Sequence, residues 1–502
     1  MRGIVKRYGA TIANAGVDLS LEPGEVHVLL GENGAGKSTL MEILYGFVAL
    51  DEGGIEIDGE PVSIASPHDA VALGIGMVHQ HFMLVESFTV AENVVLGVGS
   101  PANMRLQRRA LLADVEAAAE RYGLDLEARR RCADLGSDGK QRVEILRLLY
   151  RGAKVLVLDE PTAALGPRQV ESLFATLRGL ADSGHSVLMV THKFAEVLEI
   201  ADRVTVLKHG RRTLTARRGE FDASALAMAM TGQDLPKRPS KERVHGGGEP
   251  VLAVEDLVVA GTGDADGLRG VGFTVGSGEI LGIAGVAGNG QQEIEEAIVG
   301  VRPIVGGRIS LGDAEITHAP PRERHEAGLG AIPSERQAWG LVLDMTLAEN
   351  LALAAIPSGR FVRRGLVRRR SMRDHARELL DAYDVRPADP GALAGSLSGG
   401  NQQKVVLARE LEREPRAVVA ANPTQGLDIQ ATSYVHQQLL AVRSRGGSVL
   451  LISQDLEELL GLSDRVAVIY RGELVLERAV EDVSTADLGA AMGGVSSLSN
   501  AG

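Results

Sequence analysis

Two tandem α/β domains, each a buried parallel sheet whose first strand runs into a glycine turn and a helix, are what this sequence predicts. Three observations carry the prediction. The apolar run Val26-His27-Val28-Leu29-Leu30 leads into Gly31-Glu32-Asn33-Gly34-Ala35-Gly36-Lys37-Ser38-Thr39, the pattern of a strand feeding a glycine-rich turn and a helix. A second such passage, Glu279-Ile280-Leu281-Gly282-Ile283-Ala284 into Gly285-Val286-Ala287-Gly288-Asn289-Gly290-Gln291-Gln292, begins its glycine turn 254 residues later. Finally, short apolar runs follow each turn in the same order. They are Val155 to Leu158 and Val187 to Val190 in the first half, and Ala417 to Ala420 and Val449 to Ile452 in the second. Continuous apolar runs of this length read as strands covered on both faces. A chain of 502 residues exceeds one ordinary core, and an internal repeat divides it naturally.

From the start of the chain, Met1-Arg2-Gly3-Ile4-Val5-Lys6-Arg7 carries positive charge with no apolar stretch behind it, so it does not read as a secretory signal. The second half opens on the strand Val251-Leu252-Ala253-Val254-Glu255, and the same segment in the first half would precede Met1. An edge strand is therefore expected to be missing, or the true start to lie upstream. The spacing between matched residues grows from 254 at the glycine turns to 262 at the later strands, which places insertions in the stretch between them. There, Arg363-Arg364-Gly365-Leu366-Val367-Arg368-Arg369-Arg370 reads as a solvated helix face. Pro236, Pro239 and Gly246-Gly247-Gly248 mark a flexible connector. The predicted domains are residues 1–232 and 251–495, joined by 233–250.

Composition narrows the functional classes. The chain is 44% hydrophobic yet has no apolar run long enough to span a bilayer. The single cysteine, Cys132, excludes an internal disulfide and suits a reducing compartment. A net charge of -13 argues against a general nucleic-acid binder.

The two glycine turns differ in chemistry. In the first, backbone N–H groups can cradle phosphates, Lys37 can neutralise their oxygens and Ser38 can ligate Mg2+. The second has Gln291 and Gln292 at those positions. Four further features accompany the first turn. Gln80 follows the apolar segment Met77-Val78-His79, Asp159 and Glu160 end one strand, His192 ends the next, and Tyr8 lies upstream where an adenine could stack. Taken singly, Gln80 could be a surface amide, His192 a strand-end histidine and Tyr8 a core residue; their order and spacing after a complete phosphate loop make the joint functional reading.

With Leu397-Ser398-Gly399-Gly400-Asn401-Gln402-Gln403 added, the chain resembles the ATP-binding subunits of ABC transporters over nearly its whole length. Ala421-Asn422-Pro423-Thr424 in place of Asp-Glu-Pro-Thr, and Ser453-Gln454 in the histidine slot, make it similar to the fused ATPases of bacterial simple-sugar and nucleoside importers. The texture of Met77 to Val85 and Phe88 to Asn93 is closest to the nucleoside branch. The resemblance implies that each domain has a RecA-like core, an antiparallel β subdomain and a helical subdomain, with ATP and Mg2+ as cofactors. It implies a motor on the cytoplasmic face of a bacterial membrane, attached peripherally to two transmembrane permease subunits that an extracytoplasmic solute-binding protein supplies. A monosaccharide importer, or a soluble ABC protein acting on ribosomes, is the alternative.

The family pattern further implies one working site, with Tyr8, Gly31, Asn33, Gly34, Ala35, Gly36, Lys37, Ser38 and Thr39 on the nucleotide. Ser38, Gln80 and Asp159 would serve the metal. Lys37, Gln80, Glu160 and His192 would serve the chemistry, and Ser398, Gly399 and Gly400 would close from the other half. The second site would combine Gln291, Ser334, Ala421, Asn422 and Gln454 with Leu135-Gly136-Ser137-Asp138-Gly139-Lys140-Gln141. Aligned through Gln141 and Gln403, Gly136 stands for Ser398 and Asp138 for Gly400, unless a one-residue deletion shifts the register. Loss of a cation, a metal anchor and a base predicts a second site that does not hydrolyse ATP.

Overall fold

The computed structural model describes residues 1–9, 11–32, 34–79, 82–97, 108–162, 165–232, 248–261, 267–286, 288–356, 359–363 and 366–494. The chain forms two compact units, Met1–Pro236 and Lys237–Gly502.

In the first unit a six-stranded sheet runs in the order Arg211–Arg217, Arg203–Lys208, Val26–Gly31, Ser186–Thr191, Val155–Asp159, Ile75–Val78. Five of these strands are parallel, and Arg211–Arg217 closes the edge antiparallel. Every residue of Val26–Gly31 and Ser186–Thr191 is buried, as expected for strands covered on both faces. The second unit repeats the order with Glu473–Ala479, Arg465–Tyr470, Ile280–Ala284, Ser448–Ser453, Ala417–Ala421 and Leu329–Ile332. The apolar runs read in the sequence are these strands to within about a residue, because each is bounded by turn residues.

Each unit also carries a four-stranded antiparallel sheet: Thr11–Val17, Arg2–Tyr8, Glu52–Ile57 and Glu60–Val62 in the first, Leu268–Gly276, Pro250–Val259, Gly306–Leu311 and Ala314–Glu315 in the second. The expectation of a missing first strand is corrected here. Arg2–Tyr8 pairs with both Thr11–Val17 and Glu52–Ile57. Arg2 faces Gly54 where Glu255 faces Arg308, so Arg2–Tyr8 corresponds to the later part of Pro250–Val259. Ile4, Val17, Ile55, Leu40 and Met41 belong to one buried apolar cluster that joins this sheet to the helix Lys37–Tyr45.

Helices complete the units. In the first they include Val90–Val95, Arg108–Arg121 and Ser137–Tyr150, and in the second Leu347–Ala352, Arg369–Ala382 and Gly399–Leu411. The arginine-rich stretch is not a continuous helix face. Its described residues form two short antiparallel strands, Val362–Arg363 paired with Leu366–Val367, and a helix that begins at Arg369. No helix among the described residues is long and apolar enough to cross a membrane.

Candidate nucleotide site

The first glycine turn leaves the C-terminal end of the central parallel strand, where open α/β sheets place ligands. Its glycines are required by space and by torsion. A Cβ on Gly31 would lie 2.6 Å from the Leu207 carbonyl oxygen, and one on Gly36, at φ +96°, would lie 2.3 Å from that of Ala13. Ala35 is buried beneath the turn, and Gly34 is exposed at φ +79°. Gly36 leads into the helix Lys37–Tyr45 with no side-chain cap, so the N–H groups of the first turn face outward as anion donors. Ser38 is exposed and Thr39 half-buried on that turn.

Lys37 is buried, and its Nζ donates to the carbonyl oxygens of Gly31 at 2.7 Å and Glu32 at 3.0 Å. Burial lowers the ammonium pKa, against the opposing pull of Glu160, Asp159 and Glu32. Burial and the neighbouring Glu160 raise the Asp159 carboxyl. Glu160 is pulled the other way, chiefly by its hydrogen bond with His192, Nδ1 to Oε1 at 2.9 Å. Glu160 sits at φ +45°, a left-handed conformation that costs a non-glycine residue on the order of 1 kcal/mol or more and is found preferentially at functional sites. The donor set of a helix-borne hydroxyl and a strand-end carboxylate suits a hard oxygen-seeking cation. With outward amides and a buried ammonium beside them, the residues fit a Mg2+-polyphosphate.

The structure thus brings together Lys37, Asp159, Glu160 and His192 at neighbouring strand ends. Tyr8 ends its strand 48% exposed, with the Lys6 ammonium 5.5 Å from its ring centroid; it is not a core residue. Asn33 and Gln80 lie outside the described residues. Ser398 caps the helix Gly399–Leu411 in the second unit, and its Oγ accepts from Asn401 Nδ2 at 3.0 Å. One residue was not foreseen. Asn14, fully buried, donates from Nδ2 to the Gly36 carbonyl at 3.1 Å and braces the turn. Comparison at the 254-residue spacing carries that signal, because Leu268 stands in its place in the other copy.

The second unit keeps the scaffold and changes the groups. Gln291 Nε2 donates to Val286 O at 3.1 Å, an amide where the first unit has an ammonium. Ala421 is buried and has no carboxylate. Asn422 repeats the left-handed backbone of Glu160, at φ +40°, and its Oδ1 accepts from the Gln454 amide at 3.3 Å. Ser334, at the position of Gln80, donates from N and Oγ to buried Glu295 at 3.1 and 2.8 Å; the first unit has Met41 in the matching position. In the first unit's counterpart of the Ser398 segment, the helix Ser137–Tyr150 starts after Gly136, in register with Ser398 and without a deletion. Asp138 accepts from Gln169 Nε2 at 3.3 Å and lies 3.8 Å from Arg142.

The family model for ABC transporters matches residues 15–163 and 268–425. Guanosine import ATP-binding protein NupO of Bacillus subtilis is 41% identical over 98% of this chain and 97% of its own length. Glucose import ATP-binding protein TsgD13 of Haloferax volcanii is 40% identical over 98% of this chain and 95% of its own. Among solved structures, a chain from the complex of the archaeal ribosomal stalk protein aP1 with the ribosome recycling factor aABCE1 matches with a TM-score of 0.63. That match covers 98% of this chain and 92% of that one at 19% identity, a likeness of fold alone.

Proposed function

This chain belongs to the ABC transporter family, and from that membership we propose that it is the ATP-hydrolysing subunit of an importer whose substrate is a nucleoside. The 41% identity to a guanosine import protein supports the nucleoside, and one observation carries the ATPase. Lys37, Asp159, Glu160 and His192 converge in the first unit, while Gln291, Ala421, Asn422 and Gln454 occupy every matching position in the second.

The chemistry is phosphoryl transfer to water, in which positioning and charge neutralisation supply most of the catalysis. The outward amides of 34–39 and the Lys37 ammonium hold the β/γ-phosphates; the ammonium exchanges its bonds to Gly31 O and Glu32 O for phosphate oxygens. Ser38 and Asp159 would hold Mg2+, which when bound would supply neutralisation of charge on the phosphates. Glu160, ionised under the influence of His192, orients and polarises the attacking water, and His192 keeps water and γ-phosphate in register. Tyr8 offers its exposed ring to the adenine. Asn33 would join the phosphate cradle, and Gln80 would serve the metal and the chemistry. Ser398 with the Gly399 and Gly400 amides contributes from a second unit, whether of the same chain or of another copy. We further propose two permease subunits as membrane partners, peripheral attachment at the cytoplasmic face, and an extracytoplasmic solute-binding protein as the source of solute.

A monosaccharide is the second reading, favoured by the 40% identity to a glucose import protein. The test is ATP turnover by the chain with its permease subunits in lipid, with binding proteins loaded with nucleosides or with monosaccharides. Stimulation by a nucleoside supports the proposal; stimulation by a sugar alone replaces it with the second reading. No Lys37-dependent turnover refutes both.

A further inference from the structure

We infer that Glu196, which touches no phosphate-binding residue described above, is a positioning residue that fixes the general base against the histidine. This rests on the proposed ATPase site. Glu196 lies in the first turn of the helix Phe194–Ile200 and is 6% exposed. Its Oε1 accepts from Thr162 Oγ1 at 2.5 Å and its Oε2 from Thr191 Oγ1 at 2.7 Å. Thr162 stands two residues after Glu160, and Thr191 immediately precedes His192. One carboxylate therefore clasps the segment that carries the base to the segment that carries the histidine, each oxygen serving one side. Both hydroxyls are buried, so each depends on this acceptor for its proton.

The clasp adds to the parallel ladder between Val155–Asp159 and Ser186–Thr191, which is extended by the bond from Glu160 N to Val190 O at 3.0 Å. Glu160 holds a left-handed backbone that its surroundings must enforce. The ladder fixes the strands but not the turns beyond them, and the clasp holds those turns so that the Glu160 carboxylate and the His192 ring keep their 2.9 Å contact. Lys193 Nζ, 3.2 Å from Glu196 Oε1, balances the buried charge from the solvent side, and the Lys193 amide donates to Thr191 Oγ1 at 3.1 Å. The second unit repeats both hydroxyl bonds, Glu458 accepting from Thr424 Oγ1 at 2.8 Å and Ser453 Oγ at 2.6 Å, with His436 Nε2 3.0 Å from its Oε1 in place of a lysine. There it holds Asn422 and Gln454, which have no base or imidazole to align. That copy is a built-in control, since the same bonds are present without the chemistry.

The experiment compares Glu196→Ala, Glu196→Gln, Thr191→Ala and Ser453→Ala in the full chain with its permease subunits. Two readouts are used: kcat and KM for ATP, and the side-chain 15N NMR signal of His192, assigned by its loss in His192→Ala. Glu196→Ala is expected to lower kcat at least about 10-fold, in the range assigned to misplaced acid–base groups, with KM for ATP within about twofold. Glu196→Gln, which can accept from one threonine and donate to the other, recovers most of the rate. Thr191→Ala lowers kcat and Ser453→Ala does not. Glu196→Ala also changes the His192 resonance from that of a ring fixed on a carboxylate to that of an averaged one. Wild-type kcat in Glu196→Ala, or equal losses from Thr191→Ala and Ser453→Ala, overturns the inference. An unchanged His192 signal overturns it even in a chain without turnover, so its failure is separate from failure of the ATPase reading. Should Glu196→Ala not fold, Thr162→Val cuts one arm of the clasp, and the same outcomes decide.

Discussion

His192 Nδ1 lies 2.9 Å from a carboxylate oxygen of Glu160, and the two residues end adjacent parallel strands. The contact holds the carboxyl below its ordinary range, so the proposed base is already ionised when substrate arrives. Stability follows the same direction. A lowered folded-state pKa contributes stability that is present above the unfolded value and is lost as pH falls through the folded one.

Glu160→Gln is expected to lower kcat by at least about 100-fold, within the range for loss of a positioned base, while ATP binding persists. His192→Ala removes the main influence that lowers the Glu160 pKa, so the acid limb of its residual pH-rate profile should move to higher pH. Steady-state rates across the acid range, with nucleotide binding measured separately, check both. A Glu160→Gln chain that turns over normally would refute the assignment.

Lys37 and Gln291 occupy the same place in two copies of one loop and make the same kind of bond back to it. Only the first brings charge. Lys37→Ala should abolish turnover and Gln291→Ala should leave it nearly unchanged. Gln291→Lys combined with Glu160→Gln should show no appreciable hydrolysis, because Ala421 and Asn422 still lack the metal anchor and the base. Appreciable phosphate release by that double variant would show that the second unit is closer to a working site than its residues indicate.

The strands and the strand-end residues were legible because an apolar run ending in a glycine turn or an acid is a local pattern. Glu160 and His192 could be named from their strands, and their contact follows from adjacent strand order. The first strand was not legible because the counterpart of the apolar Val251 to Glu255 would precede Met1. The chain makes its sheet with the counterpart of the later residues, and Arg2–Tyr8 is too polar to announce itself. Asn14 and Glu196 were hidden for another reason. A buried polar residue in a strand or helix has no local signature, and only its replacement or repetition at a fixed spacing exposes it. The pairing of Val362–Arg363 with Leu366–Val367 was obscured by the surrounding arginines, which suit a helix face as readily as an exposed strand.

Arg324 shows what such a hidden residue does for stability. It is buried, and its guanidinium donates to four carbonyl oxygens: Ala297 at 2.5 Å, Ile298 at 2.7 Å, Thr317 at 2.8 Å and Ala319 at 2.7 Å. Two of these lie in the last turn of Gln291–Val299, so the cation also meets the negative end of that helix. Arg324→Met keeps much of the bulk but leaves those carbonyls without their donor, at an expected cost of about 3 kcal/mol. Ala70 holds the matching position in the first unit. Chemical denaturation should therefore show the second unit destabilised and the first unchanged.

Glu295 gives the second unit a pH dependence of opposite sign. Its carboxylate is buried, and the lost hydration raises its pKa despite two hydrogen bonds from Ser334 and with further push from Glu296 and Glu335. A carboxyl with a raised folded-state pKa binds its proton more tightly in the fold than in the unfolded chain. Its contribution is full below the unfolded pKa and is lost as pH rises from the ordinary carboxylate range through the raised value. Glu295→Gln retains an acceptor for Ser334 and removes the ionisation. The variant should melt at a higher temperature than wild type above that window, with the advantage shrinking as pH falls into the ordinary carboxylate range. Melting curves from acidic to mildly alkaline pH measure it; an advantage constant with pH would assign the gain to packing and exclude the buried charge as its cause.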